Sequence, residues 1–341
     1  MASAVADNSA PARPVRLPLA FVACVFGALV SLGMPYLGLP VAAGALAWLW
    51  YRQKRSATFA VAIVSGGLTF LINPAGPLYV IPFLLIAGPL VAVLVQYRSV
   101  AIALFVSTLL MSSVWLGMVV GAASAEGVSV NGFVESVVET VTQPARDSIV
   151  GDTAAARDSR EQITSIETAA ARLWPAVIVI MSFFTTLGTV LAVALSARAS
   201  GVRVQSPPEL ERLDLSPHVV WGLIVGVALL AADTFLGGWR GGVLGSVGEN
   251  MLRITQWVLF LQGVAVFAGL YKRAGFSPLS KALGYVLLGI TEAFLPLVSL
   301  TGLVDMFVNV RKLPRDGIAP VATPPTDASD ADSEEDRIRR Y

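Results

Sequence analysis

PLYVIPFLLIAGPLVAVLVQ, residues 77–96, is a run of twenty residues without a charged side chain, and its length decides the fold class. A helix rises about 1.5 Å per residue, so the run matches the roughly 30 Å hydrocarbon core of a bilayer. Arg98 follows closely. Working outward, comparable apolar runs lie near residues 17–33, 36–51, 57–73, 100–121, 173–196, 218–236, 254–271 and 281–308. All 24 Lys and Arg residues lie at or beyond the ends of these runs, as the cost of placing a charged side chain in hydrocarbon requires.

Composition agrees. Of 341 residues, 55% are hydrophobic and only 14% charged, far from the average soluble domain. The expected class is all-α: a polytopic transmembrane helical bundle of eight or nine spans, with amphipathic helices in one long external loop. The net charge of +1 is sorted into loops and tails, and no basic face suited to nucleic acid is visible.

Basic residues cluster in alternate connections: Arg13 and Arg16, then Arg52, Lys54 and Arg55, then Arg98, then Arg198, Arg203 and Arg212, then Lys272, Arg273 and Lys281. The positive-inside rule places these connections and the N-terminus in the cytoplasm, beneath a bacterial inner membrane. One more full crossing by the last run would put Arg311, Lys312 and Arg315 outside. As one helix, 281–308 would be about 42 Å long. Pro296 interrupts it, removing a donor and clashing with the preceding turn, so a broken segment that returns the C-terminus to the cytoplasm is expected. The competing repair is a single crossing over 17–50 with a re-entrant piece around 34–40.

The expected organisation is a disordered N-terminal segment (1–16), a first transmembrane half (17–121), an external helical loop (122–172), a second transmembrane half (173–312) and a disordered acidic cytoplasmic tail (313–341). Within the loop, Val130, Phe133, Val134, Val137, Val138 and Val141 recur at helical spacing against Glu126, Glu135 and Glu139, which predicts an amphipathic helix. A second helix should follow Pro144 and run into the span at 173. A solvated connector is the competing reading. The tail, with Pro320, Pro324, Pro325 and an acidic run, holds too little apolar area to fold.

Acids inside apolar runs are expensive to ionise unless paired or hydrated, and so point to function. Glu292 lies four residues before Pro296, in the kind of broken helix where backbone lines a site. Asp233 is near the outer end of its run. Asp305, six positions before Arg311, reads as a structural boundary residue that caps, snorkels or pairs. Gln262 adds a deep amide, suited to joining helices or to contacting a ligand. The single Cys24 and single His218 cannot assemble a usual metal site, and no Ser-His-Asp set is present. The glycines from Gly237 to Gly248 follow no strand and carry no Lys-Ser or Lys-Thr, so they form no phosphate loop. No catalytic residue, metal or cofactor is expected, and the chain does not read as an enzyme. Any ATP dependence needs another subunit.

Four features have a family cadence: LWPA at 173–176, the basic loop to Pro207 and Pro208, FLQGVAVF at 260–267, and GLVDMFVNVRK at 302–312. They resemble the YybS-like family of bacterial membrane proteins, a domain of unknown function. The resemblance implies a polytopic inner-membrane protein without an assigned activity. By analogy, its first helices are similar to the substrate-binding S components of energy-coupling-factor vitamin transporters. The leading expectation is small-solute binding or transport, with Glu292, Gln262 and Asp233 lining the site and Pro296 breaking the helix beside it. The alternative is a non-transporting scaffold or regulator working through protein partners. Partners implied are the lipid bilayer, a small-molecule solute and another membrane or ATPase subunit, and not nucleic acid.

Overall fold

The computed structural model describes residues 17–52, 54–151, 153–204, 209–236 and 242–313. The expectations made for 1–16, for Pro207 and Pro208, for 237–241 and for the tail from 314 onward lie outside the described residues.

Every regular element among the described residues is helical. In chain order these are α1 (Leu17–Ser31), α2 (Pro35–Tyr51), α3 (Arg55–Leu68) with a 3-10 turn to Leu71, and α4 (Gly76–Leu85). A π-helical turn (Ile86–Leu90) joins α4 to α5 (Val91–Tyr97). Then come α6 (Val100–Glu126), α7 (Val130–Asp147), α8 (Ala154–Ala199), α9 (Val220–Phe235), α10 (Val243–Arg273), α11 (Pro278–Phe294) and α12 (Leu297–Val308). Local chemistry sets several ends. Ser99, Ser129, Thr153 and Ser277 each accept a backbone N–H from three residues ahead, closing a donor that the first turn leaves orphaned. Gly127, at φ 69°, ends α6 in the left-handed conformation that favours glycine. The π turn holds Pro89, whose missing N–H breaks the regular ladder.

Among the described residues, five helical stretches are long and apolar enough to cross a membrane: Gly76–Tyr97, Val100–Glu126, Ala154–Ala199, Pro217–Phe235 and Val243–Arg273. The pair α11 and α12, bent by 101° at Leu295 and Pro296, makes a sixth. The eight or nine runs read from hydropathy exceed this number for a simple reason. Turn residues such as Leu32 and Ile72 are as apolar as the helices they join, so the runs are longer than the helices. With 15 residues, α1 reaches about 22 Å, short of a full hydrocarbon core.

Side-chain polarity is inverted relative to a water-soluble protein. On α8 the buried positions include Ser182, Thr185, Thr186 and Thr189, while Met181, Phe184, Leu191 and Leu195 are exposed. The same holds on α1, where Ala20, Cys24 and Ala28 are buried and Leu19, Val22 and Phe26 point outward. Large apolar side chains facing out from a small-residue interior suit lipid as the solvent.

The described helices fall into two compact units, Met1–Pro208 with His218–Val258, and Glu209–Pro217 with Leu259–Tyr341. In the first, α2 is central, with Leu39, Ala42, Ala43, Leu46 and Ala47 fully buried. A Cβ on Gly38 would stand 2.4 Å from the Gly27 carbonyl, so α1 and α2 touch backbone to backbone. Ser196 Oγ on α8 donates to the Gly44 carbonyl at 2.8 Å, and Phe83 packs on Trp115 with centroids 5.0 Å apart. In the second unit, α12 lies directly on the later half of α10, where a Cβ on Gly302 would meet the Leu259 carbonyl at 2.2 Å. The segment of α8 before residue 173 continues without a break into the apolar stretch, giving one helix of 46 residues.

Candidate functional site

In the second unit, Gln262, fully buried on α10, accepts from the Leu215 N–H at 3.1 Å and donates to Asp305 Oδ2 at 2.9 Å and Asp214 Oδ1 at 3.3 Å. Asp305, also fully buried, takes Arg311 Nε and Nη2 at 3.0 and 2.8 Å on the same oxygen, and the Arg311 backbone N–H at 3.3 Å on the other. Arg311 Nη1 reaches the Glu211 carbonyl at 2.8 Å. This network binds segment 209–217 to α10 and to the end of α12. At its rim Lys272 hydrogen-bonds Glu211 and, at 3.1 Å, Glu209. The bond from Lys272 is the main cause that holds the Glu211 carboxyl below its ordinary value.

Glu292 serves the helix break. Pro296 stands at the start of α12, whose first N–H groups need acceptors. Glu292 Oε2 accepts from the Val298 and Ser299 N–H groups at 3.1 and 3.0 Å, and Oε1 takes the Ser299 hydroxyl. The last turn of α11 thus caps the first turn of α12 across the bend.

Asp233 belongs to the first unit. It is 5% exposed, and among the described residues its Oδ2 has no hydrogen-bond partner. A Cβ on Gly242 or Gly245 would come within 2.0 or 2.6 Å of its carboxylate oxygens, so glycine is required at both positions. The carboxylate rests on the first turn of α10, where the helix dipole favours an anion.

The structure also holds a polar cleft that hydropathy does not announce. It lies between α8 and α10 in the first unit and encloses about 740 Å3. Glu161, Thr164, Ser165, Thr168 and Arg172 line it from one face of α8, and Glu249, Arg253 and Gln256 from one face of α10. The spacings of three and four residues place each set on one helical stripe. Arg172 pairs with Glu249 at 2.7 Å, while Arg253 bonds the Gln256 amide oxygen at 3.1 Å. A second cavity of about 950 Å3 shares Thr168 and Arg172 and continues toward α7, past Glu135, Glu139 and Glu167. Arg146 and Thr142 on α7 both bind Glu167, holding α7 against α8.

Asn250 fixes the floor of this region. Pro175 disturbs the α8 ladder, and Asn250 inserts where it opens. Its Oδ1 accepts from the Ala176 N–H at 2.9 Å, and its Nδ2 donates to the Arg172 carbonyl at 2.9 Å and the Ser246 carbonyl at 2.8 Å. In a regular helix Ala176 N–H and Arg172 C=O would bond to each other. The side chain bonds both of these groups and pins α10 to α8.

Of Glu292, Gln262 and Asp233, the residues expected to line one site, Gln262 bonds Asp305, which reads in sequence as a boundary residue and pairs with Arg311. Glu292 serves the bend between α11 and α12, and Asp233 the start of α10. The cleft residues escaped sequence reasoning because they flank the apolar runs. The available signal was Pro175 inside a helix, followed far along the chain by an amide, Asn250, amid otherwise apolar sequence.

No curated protein and no solved structure matches the chain. A family model described as predicted membrane protein (DUF2232) matches residues 21–306, a span that includes nearly all the helices above, both units and every residue of the cleft. The chain therefore belongs to the DUF2232, or YybS-like, family of multi-pass membrane proteins.

Proposed function

We propose that this membrane protein binds a small polar solute in the cleft between α8 and α10 and passes it across the bacterial inner membrane. In this reading all nine apolar segments embed in the bilayer, and α7 with the start of α8 stands on the external side. The observation that carries the reading is a cavity of about 740 Å3, within the size range of small-molecule sites, with its charged lining next to the apolar spans. Arg172 immediately precedes the run at 173, and Arg253 the run at 254. Both arginines thus stand at the boundary of the apolar spans, where a polar solute entering between them would pass. Asp233 of α9 rests against Gly242 and Gly245, beside the Gly242 and Val243 wall of the neighbouring cavity, and would be a second contact along the path. The chain holds no ATP-binding motif, so energy from ATP would come through a partner subunit, as in the S components of vitamin transporters.

The test is a thermal-shift screen of the purified full-length protein against metabolites and vitamins, run beside Thr168→Trp, which fills the cleft from its exposed wall. At least one compound should stabilise the wild type and fail on the variant. A wild type that responds to nothing across the panel, or a Thr168→Trp variant that responds as well as wild type, rejects the reading.

A further inference from the structure

The cleft carries information about its ligand, and the following rests on its being a solute site. Two guanidinium groups line it. That of Arg172 is committed to the Glu249 carboxylate at 2.7 Å. Arg253 also lies one helical turn from Glu249 on α10, but among the described residues it has no carboxylate within ion-pair distance. Its bond is to a neutral amide, Gln256 Oε1 at 3.1 Å. With Glu249 paired to Arg172, Arg253 is the guanidinium of the cleft without a carboxylate partner among the described residues.

We infer that Arg253 is the anchor for an oxyanion, a carboxylate or phosphate group, on the ligand of this cleft. A guanidinium presents a planar fork of donors that matches such groups. Its place at the edge of the apolar run lowers the local dielectric and strengthens the attraction. Gln256, at its side, orients the fork. Ser165, on the facing stripe of α8, has no side-chain hydrogen bond among the described residues and offers a further hydroxyl donor. Thr164 and Thr168 donate to the carbonyls of Arg160 and Thr164 at 3.0 and 2.9 Å, so Ser165 is the free donor of the three. The remaining acid, Glu161, lies three turns from Arg172 along α8, about 16 Å. Its repulsion is screened at physiological salt, where the Debye length is about 8 Å.

A phosphate group reaches such a cleft either as a soluble solute or as a lipid headgroup. The full-length protein in neutral detergent would be titrated with inorganic phosphate against chloride at constant ionic strength, and separately with phosphatidylglycerol against phosphatidylcholine in mixed micelles. Wild type should be stabilised by phosphate or phosphatidylglycerol and not by the controls. A response to phosphate alone assigns a soluble oxyanion, and a response needing phosphatidylglycerol assigns a headgroup. Arg253→Gln should weaken the binding roughly tenfold or more, and Arg253→Lys should retain part of it. Since Arg253 is exposed, both variants should fold, and the lysine form shows whether charge is what matters. An Arg253→Gln protein that keeps the wild-type shift overturns the inference. So does a screen in which only neutral or cationic compounds bind and Thr168→Trp abolishes them, an outcome that leaves the solute-site reading standing. Silence from every compound removes both.

Discussion

Asp305 and Arg311 close a loop at the end of α12 in which one carboxylate serves both the side chain and the backbone of the same arginine. Oδ2 takes Nε and Nη2 at 3.0 and 2.8 Å, and Oδ1 takes the Arg311 N–H at 3.3 Å. The chain can fold back so tightly because Asn309 adopts φ 50°, ψ 54°, a left-handed conformation that asparagine tolerates better than most residues. Asn309 then binds Leu313 through both its amide oxygen and its amide nitrogen at 2.8 Å, which locks the turn.

Arg311→Met should therefore be among the most damaging single changes in the second unit. It strands a fully buried carboxylate, and breaking one side of a buried pair costs about 3–5 kcal/mol. Denaturant unfolding in detergent would measure it. Asp305→Asn combined with Arg311→Met should recover much of the loss, because no buried charge is then left unpaired. A double variant as unstable as the sum of its singles would contradict this account.

Glu292 acts through backbone donors at the start of α12, so its removal should behave as loss of a helix cap. Glu292→Ala is expected to lower stability by about 1–2 kcal/mol. Glu292→Gln keeps one acceptor oxygen and should cost less. Thermal melts of the two variants test the order, and equal losses would show that the carboxylate contributes something other than capping.

The apolar runs were legible because a bilayer imposes a length and excludes charge, and each run contains a helix. The bend at Pro296 was legible for a similar reason, since proline cannot continue the ladder. What the sequence left open was tertiary. A spacing of six between Asp305 and Arg311 allows a cap, a snorkel or a pair, and only the turn at Asn309 selects among them. Gln262 meets Asp214 and Leu215 across 48 and 47 positions of sequence, a closeness no local pattern encodes. The cleft was hidden because hydropathy discards the polar flanks of α8 and α10, where Arg172, Glu249 and Arg253 stand.

Asn250 bonds both the Ala176 N–H and the Arg172 carbonyl of α8. Asn250→Leu removes the partners of the Ala176 N–H and the Arg172 carbonyl together, and leaving buried backbone groups unmet costs about 1–3 kcal/mol. The loss should be reduced where the two groups bond to each other, but Arg172 would then lose a tie that fixes it beside Glu249. Any ligand of the cleft should bind Asn250→Leu more weakly even under conditions where the variant is folded, which a titration alongside circular dichroism would show.

Close packing of α10 on α12 predicts a sharp contrast among glycines of the same unit. A Cβ at Gly263 would stand 2.0 Å from the Val298 carbonyl oxygen, whereas at Gly289 nothing lies within 4 Å. Backbone cannot yield as a side-chain tip can, so Gly263→Ala should destabilise by about 1–3 kcal/mol or more. Gly289→Ala, in the interior of α11, should be neutral or stabilise by roughly 0.5–1 kcal/mol through helix propensity. Melting temperatures of the two variants provide the comparison.

The rim bond between Lys272 and Glu211 gives an acid-side dependence whose sign is fixed. Glu211 is held below its ordinary value of 4.5 mainly by the hydrogen bond from Lys272, so folding favours its ionised form. The stabilisation is fully present above the unfolded value and is lost as pH falls through the lower folded value. Glu209, which shares Lys272 and also pairs with Arg212 at 3.4 Å, and Asp214 stand in the same neighbourhood, so wild type alone does not isolate the effect. Lys272→Gln does. Melting temperature followed from neutral pH into this acid range should fall less steeply in Lys272→Gln than in wild type. At low pH, where Glu211 is protonated in both, the two curves should converge. Parallel curves over the whole range would mean that the Lys272 bond contributes nothing to folding.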